Sequence, residues 1–123
     1  MLFSKKAALV TAAAAFSSFV QAASPVVHTV SVGQGGLKFV PSTITAKPGE
    51  FVTFKFVTAG HSVAKSTFNA PCQAVMDSTG FFSGTMNSAS GEFSIEVKDT
   101  DPIFFFCATE GHCQLGMSGV INP

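Results

Sequence analysis

Apolar and polar residues alternate over several short runs of this chain, and Gly, Pro, Ser and Asn separate the runs. The clearest alternation covers residues 51–57, where Val52, Phe54 and Phe56 share one face. A period of two is typical of a β-strand with one buried face. We predict further strands at 26–32, 37–40, 42–46, 93–97, 103–107 and 117–121.

The spacing of these runs indicates the fold class. Short strands that recur roughly every 8–12 residues, with turn residues between them, predict an all-β fold, and specifically a two-sheet Greek-key β-sandwich. Residues 103–107 are apolar on both faces, which favours a strand in the middle of a sheet. The alternation weakens between His61 and Gly91, and we expect loops or a short helix there.

The first residues have the pattern of a secretion signal. Lys5 and Lys6 precede an uncharged run over residues 7–20, and Val20-Gln21-Ala22 is a suitable cleavage site. The apolar run is shorter than the ~20 residues that a membrane-spanning helix needs. We therefore predict a signal peptide at 1–22, with a cut after Ala23 as the alternative, and one secreted, extracellular domain at 23–123.

The net charge of the mature chain argues against a nucleic-acid partner. It has five lysines, no arginine and seven acidic residues, hence a net charge of −2. Because no basic surface is present to neutralise phosphates, we expect no nucleic-acid partner. The residues before Pro123 contain neither a hydrophobic tail nor a prenylation motif, so we expect no membrane anchor, and we expect a monomer.

The chain has three cysteines, Cys72, Cys107 and Cys113, which is an odd number for a secreted protein. One of them stays unpaired unless it bridges two chains. A free thiol outside the cell is exposed to oxidation, so metal ligation is a reason to retain one. The spacing of the cysteines does not decide which two are paired, and a Cys72–Cys107 disulfide remains open.

The candidate metal ligands are spaced regularly near the end of the chain. His112 follows Cys107 by five residues, and Met117 follows His112 by five. Two imidazoles, a thiolate and a weak axial thioether are the ligands of a type 1 (blue) copper site. His61, just after the strongest strand, is the better second imidazole, because His28 lies in the middle of a predicted strand.

Other interpretations of the same residues fit less well. A zinc site usually has a Cys-x2-Cys step, which is missing here, and Met is a poor zinc ligand. Met117 in isolation would be read as core packing, which is how we interpret Met76 and Met86. Three histidines are too few for a multicopper oxidase, and the acidic residues form no convincing catalytic pair, so we do not expect an enzyme.

Several short motifs resemble those of the cupredoxins, in particular the phytocyanins and their fungal extracellular relatives. They are GHSV at 60–63, FFFC at 104–107, GHC at 111–113, GM at 116–117 and VINP at 120–123. The resemblance implies one copper ion bound by His61, Cys107, His112 and Met117. It also implies a Cys72–Cys113 disulfide, which would leave the thiolate of Cys107 free.

The resemblance has functional implications as well. It implies one-electron transfer to or from a redox partner protein or a small reductant. Electrons would pass mainly through Cys107 and would leave the protein through His112. The alternative is a non-catalytic copper-binding module for sequestration, delivery or cell-surface interaction. Met117 stands where plant stellacyanins have Gln, and the chain lacks the Ser-rich stalk of many fungal relatives.

Overall fold

Eight β-strands form the regular structure of residues 24–123, the part of the chain that this computed structural model describes. The predicted signal peptide at 1–22 lies outside the described residues. None of the described residues forms a helix long and apolar enough to cross a bilayer. The strands are β1 (Val27–Val32), β2 (Phe39–Val40), β3 (Thr43–Ile44), β4 (Phe51–Phe56), β5 (Ala64–Ser66), β6 (Glu92–Glu96), β7 (Ile103–Phe106) and β8 (Ser118–Ile121), with a 3-10 turn at Cys113–Leu115.

The strands form two four-stranded sheets, in the orders β2-β1-β4-β6 and β3-β8-β7-β5. β1 pairs parallel with β4 and β3 pairs parallel with β8, whereas the other pairs are antiparallel. The all-β sandwich expected from the strand spacing is confirmed. β7 lies between β8 and β5, as the apolar run at 103–107 predicted.

The core between the sheets is built from the alternating apolar positions. The predicted inner face of β4 is confirmed, because Val52, Phe54 and Phe56 are all buried. Phe105 of β7 contacts this face from the opposite sheet, with its ring centroid 5.1 Å from that of Phe54 and 4.9 Å from that of Phe39. Edge-to-face contacts of this kind are a favoured aromatic geometry, and they join the two sheets.

The outer face of β7 has a smaller apolar cluster of its own. Phe106 packs there with Ala64 and with the half-cystines Cys72 and Cys113. This second cluster explains why the sequence of β7 is apolar on both faces.

One strand differs from the sequence prediction. β5 lies at Ala64–Ser66, inside the region where loops or a short helix were expected. Three residues are too few to show a period of two, and Ala, Lys and Ser have little preference for strands. β5 is a strand because β7 pairs with it antiparallel, from Ala64 opposite Phe106 to Ser66 opposite Phe104.

Candidate metal centre

Three side chains with metal-binding atoms converge at one end of the sandwich. His61 follows β4, Cys107 follows β7 directly, and His112 lies in the loop that leads to β8. The ligand atoms of the three residues all lie within 4.8 Å of one another. The Sγ atom of Cys107 is 3.5 Å from Nδ1 of His112 and 3.9 Å from Nδ1 of His61.

The loop between β7 and β8 is closed by its own backbone hydrogen bonds. The N–H of Cys107 donates to the carbonyl oxygen of Met117, and the N–H of Met117 donates to that of His112, both at 3.1 Å. Gly116 has a φ of 100°, a left-handed conformation that ends the 3-10 turn and that glycine adopts without strain. The loop thereby brings His112 back towards Cys107.

Met117 is fully buried and belongs to the same apolar cluster as Cys107. Its backbone is hydrogen-bonded to that of Cys107, which places the two residues side by side at the end of the sandwich. The axial role of its thioether stays a prediction.

The sulfur of Cys107 is fully buried and receives polar contacts from Ser62. The backbone N–H of Ser62 donates to Sγ at 3.4 Å, and the hydroxyl oxygen of Ser62 lies 4.0 Å from it. That hydroxyl also accepts a hydrogen bond of 2.9 Å from the N–H of Ala108. The N–H donor of Ser62 helps to fix the position of the sulfur. Ser62 was not predicted from the sequence, although it follows His61 in the GHSV motif.

The two imidazoles have different surroundings. His61 is only 6% exposed, whereas His112 is partly exposed, and their ring centroids are 5.1 Å apart. Burial, and secondly the charge of His112, hold the pKa of His61 below its usual value. His61 is therefore neutral over a wider pH range, and the neutral imidazole is the form that binds metals.

The positions of the donors fit one shared ion. In zinc sites, Cys sulfur lies about 2.3 Å and His nitrogen about 2.0–2.1 Å from the metal, so a sulfur and a nitrogen on one ion are at most about 4.4 Å apart. Both distances from Sγ of Cys107 to the imidazoles of His61 and His112 are within this limit. One thiolate and two imidazoles, with a buried methionine nearby, are a donor set that suits copper.

The cysteine pairing is the one that the family resemblance implied. Cys72 and Cys113 form a disulfide that spans 41 residues, and Cys107 is the free, buried cysteine. The alternative Cys72–Cys107 disulfide is wrong. Because Cys113 follows His112 directly, the disulfide also anchors the loop that carries this histidine.

The histidine that the sequence analysis ranked lower lies outside this cluster. Nε2 of His28, on β1, is 2.9 Å from the Glu50 carboxylate, and the group of convergent metal-binding atoms does not include it.

The two-sheet fold and the His-Cys-His cluster are those of a cupredoxin. Residues 26–122 match the family model of copper binding proteins of the plastocyanin/azurin family, and the chain belongs to this family. The resemblance found in the sequence motifs is thus confirmed. Copper is the cofactor, with His61, Cys107 and His112 in position to hold it.

Two curated relatives come from Arthroderma benhamiae. The chain is 38% identical over 102 residues to a "Probable GPI-anchored cupredoxin-1", a match over 83% of this chain and 53% of the relative. It is 40% identical over 97 residues to an "Extracellular serine-rich protein", over 76% of this chain and 38% of the relative. The chain therefore spans about half or less of the length of these relatives.

A solved structure shows the same fold. A mutant plastocyanin of fern, studied in oxidised and reduced states, is 26% identical and superposes with a TM-score of 0.56. The match covers 76% of this chain and 96% of the fern protein.

Proposed function

We propose that this protein is a secreted type 1 copper protein that carries single electrons, with His61, Cys107, His112 and Met117 as its ligands. The observation that carries the proposal is the fully buried sulfur of Cys107, which lies 3.5 Å and 3.9 Å from two imidazole nitrogens. When bound, copper supplies a one-electron Cu(II)/Cu(I) couple. The residues around it hold the donors in place.

The protein matrix restricts movement of the donors. The N–H of Ser62 donates to the sulfur of Cys107, and the Cys107 backbone is bonded to that of Met117. Cys107 and Met117 are both buried in the apolar core, which keeps water from the sulfur side of the site. A site whose ligands keep their positions in both oxidation states loses little energy to rearrangement, which suits rapid electron transfer.

The exposure of the ligands suggests a route for the electron. His61, Cys107 and Met117 are buried, whereas His112 is partly exposed. A redox partner protein or a small reductant therefore exchanges electrons with the copper through the partly exposed imidazole of His112. The sulfur of Cys107 is the main electronic path. The protein acts as a carrier and not as an enzyme.

Export from the cell is supported by the relatives, whose names describe one as GPI-anchored and the other as extracellular. The signal peptide at residues 1–22 and the monomeric state stay predictions.

Redox cycling separates electron transfer from storage or delivery. We would load the mature protein with one copper per chain, reduce it with ascorbate, reoxidise it in air and repeat the cycle in the presence of a Cu(I) chelator. An electron carrier bleaches and recovers its colour reversibly while copper stays bound. A colourless complex, or copper lost to the chelator on reduction, would contradict the proposal and support storage or delivery.

A further inference from the structure

The turn that follows β1 contacts the imidazole of His61 on the side of the ring that faces away from Cys107. A Cβ atom built on Gly33 would lie 2.7 Å from Cδ2 and 2.8 Å from Nε2 of His61. In a five-membered imidazole ring, the Cδ2–Nε2 bond is the edge opposite Nδ1. Gly33 therefore lies against one edge of the ring, while Nδ1 on the opposite side faces the sulfur of Cys107.

Gly33 is held in place by hydrogen bonds on both of its backbone polar groups. Its N–H donates to the carbonyl oxygen of Lys38 at 2.9 Å. Its carbonyl oxygen accepts from the Thr58 hydroxyl at 3.2 Å. The preceding residue, Val32, accepts from the N–H of Val57 at 3.0 Å. The turn that contains Gly33 is thus hydrogen-bonded to the segment between β4 and His61.

We propose that Gly33 is a positioning residue for the copper site, and that its missing side chain sets how far Nδ1 of His61 extends towards Cys107. A methyl group at position 33 overlaps the ring edge, so the imidazole must move or tilt. Since His61 is buried, it has little free space into which to move. The inference rests on the proposed role of His61 as a ligand.

Neighbouring glycines provide a matched control. Gly33 and Gly35 have similar positive φ angles, 82° and 71°. A Cβ on Gly35 would meet only the flexible side chain of Lys38, no closer than 3.6 Å. Gly35→Ala therefore reproduces the backbone strain of Gly33→Ala without its contact with His61.

An alanine at position 33 would also contact Thr58, and the effect of this contact must be distinguished from that of the contact with His61. The added Cβ would also overlap the hydroxyl oxygen of Thr58. Thr58→Ala removes that oxygen. The decisive comparison is therefore between Thr58→Ala and the double variant Gly33→Ala/Thr58→Ala, in which the contact with the imidazole remains.

The test measures the optical and EPR spectra and the copper affinity of the wild type, Gly35→Ala, Thr58→Ala and the double variant. We expect Gly35→Ala to keep the wild-type spectra, and Thr58→Ala, which loses its hydrogen bond to Gly33, is the reference for the double variant. We expect the double variant to show altered spectra and an affinity about 10–100-fold lower, the usual effect of disturbing a residue that supports a metal ligand. A double variant with the spectra and affinity of Thr58→Ala would overturn the inference.

If the double variant does not fold, a measurement on the wild type tests the inference instead. Proton NMR of the metal-free and the Cu(I)-loaded protein should show a cross-relaxation signal between the Cα protons of Gly33 and the Cδ2 proton of His61 in both forms. Loss of this signal on copper binding would overturn the inference. A wild type without blue colour refutes the proposed function instead, so the two failures are distinguishable.

Discussion

The side-chain hydroxyl of Thr109 donates a hydrogen bond of 2.9 Å to the backbone carbonyl oxygen of Gly60. Gly60 directly precedes His61, and Thr109 lies between Cys107 and His112. The backbone carbonyl oxygen of Thr109 also accepts a hydrogen bond from the N–H of His112. Thr109 therefore links the two chain segments that supply the imidazoles.

Replacing Thr109 by Val removes this link while nearly preserving the shape of the side chain. Because the carbonyl oxygen of Gly60 loses its side-chain donor, we expect Thr109→Val to lower the free energy of unfolding of the metal-free protein by about 0.5–1.5 kcal/mol. Thr109→Ser keeps the hydroxyl and should keep most of the stability. Urea unfolding of both variants checks this, and equal losses in the two would show that the hydrogen bond is not the cause.

Phe105 joins the two sheets through its contacts with Phe39 and Phe54. Its side chain is fully buried, so we expect Phe105→Ala to leave a cavity and to cost about 3–5 kcal/mol of unfolding free energy. Phe68 is 76% exposed, and Phe68→Ala, as the control, should cost less than about 1 kcal/mol. Denaturant unfolding of the two variants would contradict the packing described above if their losses were equal.

The Cys72–Cys113 disulfide closes a long stretch of chain, with 41 residues of sequence separation. Replacing both cysteines by Ala should lower the stability of the metal-free protein by about 2–5 kcal/mol, the usual effect of removing a disulfide from a small secreted domain. Since Cys107 is outside the disulfide, the copper-loaded variant should stay blue. A variant that unfolds like the wild type but cannot bind copper would show that the disulfide serves the site and not the fold.

Glu50 should make the stability of the protein depend on pH in the acidic range. Hydrogen bonds from the Lys47 backbone and from His28 hold the pKa of Glu50 below its ordinary value of 4.5. A lowered pKa in the folded state means that this carboxylate stabilises the fold above pH 4.5, and that its contribution is lost as the pH falls towards the folded pKa. Glu50→Gln removes the contribution at every pH.

Thermal unfolding of the metal-free protein over acidic pH measures this effect. The melting temperature of the wild type should exceed that of Glu50→Gln near neutral pH, and the difference should shrink as the pH falls below 4.5. Glu110→Gln removes one exposed carboxylate and is the control for the loss of a negative charge. A difference between wild type and Glu50→Gln that does not change with pH would refute the role of Glu50.

The features of the fold and the site that have local signals could be predicted from the sequence. The alternation at 51–57 predicted β4, and the five-residue steps from Cys107 to His112 and Met117 predicted the ligand loop. A single free thiol among three cysteines indicated a metal before any fold was considered. These signals are local because strand alternation and loop length are set by neighbouring residues.

The supporting contacts of the site could not be predicted in this way. Ser62 and Cys107 are 45 residues apart, and Gly60 and Thr109 are 49 apart. Contacts of this kind depend on how the two sheets pack. The alternation of apolar and polar residues along the sequence carries no information about that packing. β5 was missed for the same reason, because its strand conformation comes from pairing with β7 and not from its own residues.

The proposed function depends on the thiolate of Cys107 binding copper together with two imidazoles. The most direct test compares the optical and EPR spectra of the copper-loaded mature wild type and Cys107→Ser, with Met117→Leu as the variant that keeps the thiolate. We expect an intense blue colour for the wild type, its loss in Cys107→Ser and a blue but altered spectrum in Met117→Leu. An equally blue Cys107→Ser variant would show that the thiolate of Cys107 is not a copper ligand.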